Sequence, residues 1–120
     1  MITILPADEA FLQSIHAPAD ADAMVLRERD GTVFGHALFR VSGDEVEILQ
    51  VETEEPLMTE ALIRSVLNTG DCRGAVTGVC RIGSLAPVLK RLEFAPTDDR
   101  YEVSIDAFFR SGCKHGKTDK

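Results

Sequence analysis

The residue types best suited to nucleophilic or metal chemistry in this 120-residue chain are three cysteines and three histidines. Cys72 and Cys80 are each followed by an arginine, Arg73 and Arg81, and a nearby positive charge lowers a thiol's pKa. Adjacent side chains of an extended segment point to opposite faces, however, and no histidine is close in sequence to either pair. The spacing therefore gives only weak support to an activated thiolate. Cys113 and His115 stand two apart, which supplies two donors where a metal site needs three or four. His36, within Phe34-Gly35-His36-Ala37, is placed either to face a cleft or to pack within a sheet. No Ser-His-Asp grouping, P-loop or EF-hand spacing can be read. Four carboxylates, Glu52, Glu54, Glu55 and Glu60, gather around Pro56, where acids and proline favour a helix start.

Composition narrows what such residues could serve. The chain is 44% apolar and 28% charged, enough for one folded domain with a sizeable core. Residues 110–120 carry a surplus of three positive charges, so a net charge of −7 leaves −10 on the preceding 109 residues. A body this acidic repels nucleic acid and anionic membrane, which are bound by clustered Lys and Arg. No apolar run approaches the ~18 residues of a membrane span. The opening Met-Ile-Thr-Ile-Leu-Pro lacks the basic flank and long apolar stretch of a secretory leader, and an odd number of cysteines fits reduced thiols. A cytoplasmic location is expected, with no nucleic-acid or membrane partner.

The elements that must position these residues follow from periodicity. Residues 2–5 read as a strand, and 7–15 as a short amphipathic helix behind Pro6 and Asp8. Residues 16–22 read as a loop. Residues 24–29 and 32–41 form a hairpin about Asp30-Gly31, and Ser42-Gly43-Asp44 turns into a third strand, 45–51. That strand changes phase: Val46 and Ile48 share one face, Leu49 and Val51 the other. It is either buried on both sides or bulged near Ile48-Leu49. Thr53-Glu54-Glu55-Pro56 opens a helix that Asn68-Thr69-Gly70 ends. A strand over 75–80 follows, then a helix over 85–92 capped by Ser84. A last strand over 101–109 sets Phe108 and Phe109 on opposite faces, which makes Phe109 a candidate for burial in a homodimer. The fold class is α/β with a mixed sheet. Residues 1–109 form one domain with a shortened N-terminal part, 1–22, and 110–120 a basic, fraying tail.

Three stretches in this order carry a resemblance: Val33-Phe34-Gly35-His36-Ala37, Glu47-Ile48-Leu49-Gln50-Val51 leading to Ala61-Leu62-Ile63, and Leu85 to Phe94, where Leu92-Glu93-Phe94 stands in place of Leu-Gly-Phe. Over about residues 23–109 the chain resembles the GNAT superfamily of acyl-CoA N-acyltransferases. The resemblance implies a largely antiparallel, twisted sheet with helices on both faces and a bulged central strand that splays from its parallel neighbour. It implies acetyl-CoA or another acyl-CoA as cofactor. The pantetheine arm would pair with the main chain about Leu49 to Val51, facing Ala75 to Val79, and the main chain of Leu57, Met58 and Thr59 would lie at the pyrophosphate. Glu47 would be the base that deprotonates an amine acceptor, a small molecule or a peptide.

The departures from the family bear on activity. Its pyrophosphate motif, Gln/Arg-x-x-Gly-x-Gly/Ala, falls here on Glu54, Leu57 and Thr59. Glycine lets backbone N–H groups approach a phosphate, and carboxylates bring the wrong charge. The family's tyrosine acid falls on Leu89, which has no proton to give. The resemblance thus implies acyl transfer from acyl-CoA to an amine, with catalysis reduced or lost. The alternative is a non-catalytic binding or dimerisation module that uses the same cleft or sheet edge.

Overall fold

The computed structural model describes residues 2–113, with side chains through Phe109. Strand β1 (Ile2–Pro6) leads into helix α1 (Glu9–Ser14), where the Asp8 carboxylate accepts from the Phe11 N–H at 2.8 Å and caps the helix. The meander follows as β2 (Asp22–Glu28), β3 (Val33–Ser42) and β4 (Glu45–Thr53). Its turns sit at Gly31 and Gly43, whose φ angles of 96° and 62° favour glycine. Next come α2 (Pro56–Cys72), β5 (Thr77–Cys80), a 3-10 turn (Gly83–Leu85) and α3 (Ala86–Arg91). The chain then forms β6 (Ala95–Pro96), β7 (Tyr101–Ser104) and α4 (Ile105–Cys113). The strands make one mixed, largely antiparallel sheet in the order β1-β2-β3-β4-β5-β7-β6, with only β4 and β5 parallel. Among the described residues no helix is long and apolar enough to cross a membrane.

Helices cover both faces, as expected. The main core joins Leu62, Ile63, Val66 and Leu67 of α2 to Val46 and Ile48 of β4, while a smaller cluster packs Phe11 and Leu12 of α1 against Ala21, Ala23 and Leu38. The phase change in β4 is a bulge. Gln50 pairs with Leu38 and Ile48 with Phe39, so Leu49 is the extra residue. Leu49 packs into the smaller cluster, and Val51 returns to the main core. The strand is therefore bulged and also faces apolar clusters on both sides.

Several expected boundaries move, each for a local reason. The strand predicted over 101–109 stops at Ser104, and α4 begins at Ile105. Ile105, Phe108 and Phe109 at i, i+3, i+4 share a helical face, which accounts for the Phe108 that breaks a strand's alternation. Phe108 and Phe109 are edge-to-face neighbours at 5.1 Å, both packed on the main core, so the strand surface on which the Phe109 dimer rested does not exist. Helix α4 also crosses the boundary drawn at 109, and residues 114–120 of the expected tail lie outside the described residues. Gly70 does not end α2; it packs inside it, where a Cβ would meet Val46 Cγ1 at 2.7 Å. Ser84 falls within the 3-10 turn and does not cap α3, whose N-cap is Leu85 without a side-chain bond. β5 starts at Thr77, because the Val76 and Thr77 N–H groups both donate to the Asp44 carbonyl.

Candidate functional site

The sheet opens at its centre. Residues 45–48 of β4 pair with 77–80 of β5, ending at Ile48 opposite Cys80. Beyond that point β4 continues along β3 to Thr53, while the chain after Cys80 turns into the 3-10 segment. The β5-side edge of Leu49–Thr53 thus has no strand neighbour among the described residues. The opening faces the segment from Arg81 onward and not Ala75 to Val79, because 77–79 are paired with the first half of β4. Partly buried Val51, Met58, Ile82 and Leu85 pack on the core at this end. An extended amide chain fits such an edge, since its N–H and C=O groups can complete the ladder as a strand would. The main chain of Leu49 and Val51 lies along this edge.

The entrance of α2 is different. Pro56 is the first helical residue and has no N–H to offer. The Met58 N–H already donates to the Glu55 carbonyl at 2.9 Å. Glu55, the N-cap, makes no side-chain cap bond, and the Leu57 side chain stands 77% exposed. Thr59, like Leu57, lies inside the helix proper, so neither replaces a flexible glycine ahead of it. Glu54 and Glu55 add negative charge just before the helix. These residues do not fit a pyrophosphate: one donor is missing, another is used, and the field is unfavourable. Glu60 does not join the entrance; it accepts from Arg91 Nε of α3.

Glu47 is held by arginines. Its Oε2 accepts from Arg81 Nη1 at 2.6 Å and its Oε1 lies 4.0 Å from Arg40 Nη1, while Arg40 also pairs with Asp20 at 2.9 Å. These contacts hold the Glu47 carboxylate beside two guanidinium groups. Arg81 therefore serves Glu47 and does not activate its neighbour Cys80. The Cys80 thiol is fully buried, and burial pushes its pKa up, against a smaller opposing effect of the Ile82 N–H and with the charge of Glu47 adding to the rise. Leu89 is fully buried in the core, and Tyr101 packs against that core from β7. Among the described residues no three metal-ligating side chains cluster, and His115 lies outside them.

His36 is the residue whose surroundings the sequence did not disclose. It sits on β3 directly opposite Glu52 of β4, 7% exposed, with the Phe11 ring edge-on at 5.4 Å. Its Nε2 is buried without a hydrogen-bond partner among the described residues. His36 lines an open cavity of about 460 Å³ together with Phe34, Glu52, Glu54, Val33 and Val51. The alternation Phe34/His36 against Glu52/Glu54 is visible in the sequence, but only the ladder register brings the two pairs together. A second cavity of about 310 Å³ lies between α2, α3, β7 and α4. Of the charged side chains around it, Arg91 pairs with Glu60, Glu102 with Arg100, and Arg64 lies over the Phe108 ring at 5.1 Å.

No protein-family model and no curated protein matches the sequence. Solved structures do resemble it in three dimensions. The ribosomal-protein-S18-alanine N-acetyltransferase of Escherichia coli superposes with a TM-score of 0.71 at 14% identity, over 88% of this chain and 94% of that one. Mutant forms of the spermidine/spermine N-acetyltransferase of Vibrio cholerae give 0.72 at 9% identity, over 92% and 98%. An acetyltransferase of the GNAT family from Staphylococcus aureus Mu50 gives 0.63 at 7% identity, over 88% and 99%.

Proposed function

Starting from the GNAT acetyltransferase fold that this chain adopts, we propose that it is an N-acyltransferase-type domain with a weakened hold on acyl-CoA and reduced or lost catalysis. One observation carries the cofactor reading: β4 leaves β5 after Ile48 and Cys80 while staying paired to β3, so an unpaired strand edge faces an opening in mid-sheet. When bound, an acyl-CoA supplies an activated thioester carbonyl. The chain's part is to align the amide-bearing arm along Leu49–Val51 and to present an amine to that carbonyl. Two features limit it. The α2 entrance offers carboxylates and proline where a nucleotide's phosphates would need N–H groups. Leu89 cannot donate a proton to a leaving thiolate, and Glu47 is engaged by Arg81 and Arg40.

The test is calorimetric titration with acetyl-CoA and, separately, with acetyl-pantetheine, which lacks the nucleotide. Comparable, weak affinities are expected, because the nucleotide end gains little here. Micromolar binding of acetyl-CoA with no binding of acetyl-pantetheine would overturn the weakened-entrance reading, and binding of neither at millimolar concentration would overturn the cleft. Glu54→Arg combined with Glu55→Gly should tighten acetyl-CoA and leave acetyl-pantetheine unchanged, the gain shrinking as salt is raised.

A further inference from the structure

We propose that strand β1 pairs with β1 of a second copy of this chain, joining two sheets edge to edge about a two-fold axis at Ile4. The pairing is independent of acyl transfer, and it uses the sheet edge away from the opening beside β4.

The two edges of the sheet are unlike. β6 is two residues long, contains Pro96 and is followed by Asp98 and Asp99, all of which discourage further pairing. β1 is five residues long, Ile2-Thr3-Ile4-Leu5-Pro6, and carries no charge. No strand borders its outer side among the described residues. Helix α1 does not cover this edge, because Phe11 and Leu12 pack inward with Ala23 of β2 and Leu38 of β3. Ile2 is left 43% exposed and Leu5 50%.

The ladder decides which amides face outward. The Ala7 N–H donates to the Ala23 carbonyl at 2.9 Å, and the same register sets Leu5 opposite Val25 and Thr3 opposite Arg27. Bonded and non-bonded pairs alternate in an antiparallel ladder, so Thr3 and Leu5 turn their amide groups toward β2. Ile2 and Ile4 turn theirs outward, together with the Pro6 carbonyl. That pattern is self-complementary. About an axis at Ile4, the two Ile4 residues exchange both bonds, and each Ile2 N–H donates to the second copy's Pro6 carbonyl. Pro6 has no N–H, but the group it fails to meet is the Ile2 carbonyl at the end of the ladder, open to water. On one face Ile2 then lies beside the second copy's Pro6, and on the other Leu5 lies beside its Thr3.

Charge selects the antiparallel sense. Asp8 and Glu9 follow Pro6, and a parallel pairing would set the acids of both copies side by side. The antiparallel pairing carries them to the other copy's Ile2 end, where Arg27 and Arg29 stand on either side of Glu28. A ladder of five residues a side is a small interface, so a micromolar dimer in rapid exchange is expected.

The experiment uses the full chain and needs no ligand. Sedimentation velocity over a concentration series should show monomer passing to dimer in the micromolar range. Amide hydrogen exchange, read by NMR at low and high concentration, should slow at Ile4 and Ile2 as the dimer forms. Thr3 and Leu5, bonded to β2 in either state, should change less. Leu5→Lys, at a half-exposed side chain, should weaken the dimer about tenfold. Ile4→Pro removes an N–H that faces away from β2 and should abolish the dimer. Circular dichroism checks that each variant folds, and Leu5→Lys decides the matter where Ile4→Pro does not fold. A chain that stays monomeric at millimolar concentration overturns the proposal. So does a dimer whose Ile4 amide exchanges as fast as the monomer's, or one that Leu5→Lys leaves at full strength, for either places the contact on another surface.

Discussion

The two halves of β4 are one strand in two environments. Residues 45–48 lie between β3 and β5, with Val46 and Ile48 buried beneath α2 and Glu47 locked to arginines. Residues 49–53 keep only the β3 ladder, carry an exposed Glu52 and run out into the start of α2. The bulge at Leu49 is the hinge between them, since one extra residue bends the strand and resets which face its side chains use. The first half has its hydrogen bonds and side chains fully committed to the fold. The second half leaves its β5-side backbone edge without a strand neighbour among the described residues. Paired and unpaired backbone thus lie a few residues apart on a single strand.

The largest effect should come from the closed half. Ile48→Ala removes a side chain only 1% exposed from the centre of the main core and should cost about 2–5 kcal/mol. Leu49→Ala, one residue on, loses a half-buried side chain at the edge of the smaller cluster and should cost about 1 kcal/mol. Urea denaturation of both variants measures the difference. Equal losses would mean that the bulge does not divide the strand energetically.

Glycine substitutions on either side sharpen the same contrast at a smaller scale. A Cβ at Gly70 would lie 2.7 Å from Val46 Cγ1 and 2.8 Å from its Cβ, in the closed half. A Cβ at Gly35 would lie 2.5 Å from the Glu52 carbonyl oxygen and 2.7 Å from Thr53 Cβ, in the open half. Gly70→Ala and Gly35→Ala should each cost about 1–3 kcal/mol, because neither neighbour is the free end of a flexible chain. Their consequences for ligands should differ. Gly35→Ala pushes on the unpaired half of β4 at Glu52 and Thr53 and should weaken acetyl-pantetheine binding, whereas Gly70→Ala should leave the binding of the folded fraction intact. Matching losses of affinity in both variants would show that the halves are mechanically coupled.

Much of this frame was legible before any coordinates. The meander follows from Asp30-Gly31 and Ser42-Gly43, α2 from apolar residues at helical spacing, and the bulge from the parity change at Leu49. The acidic entrance of α2 could be read directly, because Glu54, Glu55 and Pro56 act locally. Residues 105–109 were misread because Ile105, Phe109 and the intervening Ala107 satisfy a period of two as well as Ile105, Phe108 and Phe109 satisfy a helix; the return of Ser104 Oγ to the Ala107 N–H helps to settle it. β6 is two residues long, below what alternation can register. The His36 pocket was hidden for a deeper reason. Opposing Glu52 to His36 depends on where the bulge falls in the β3–β4 ladder, and a one-residue slip would send the carboxylate to the other face. The line along which β4 parts from β5 likewise depends on how two distant segments pair.

The smallest expected effect lies where the closed half ends, at Ile48 opposite Cys80. Burial holds the Cys80 thiol above its ordinary pKa, and the nearby Glu47 charge acts in the same direction. In the unfolded chain this thiol ionises near pH 8.5 or 9. Above that value the unfolded state has released a proton that the folded state still holds, so the unfolded state binds fewer protons. Stability then falls as pH rises, and continues to fall until the folded thiol also ionises; below pH 8 the group contributes no slope. Denaturation midpoints of the wild type should therefore decline between pH 8 and pH 10 more steeply than those of Cys80→Val, which fills a similar volume without a titrating group. The comparison is one of slopes, so any fixed packing cost of valine cancels. A parallel decline in the two proteins would place the titrating group elsewhere, and would mean that the parting of β4 from β5 admits enough water for Cys80 to ionise as freely folded as unfolded.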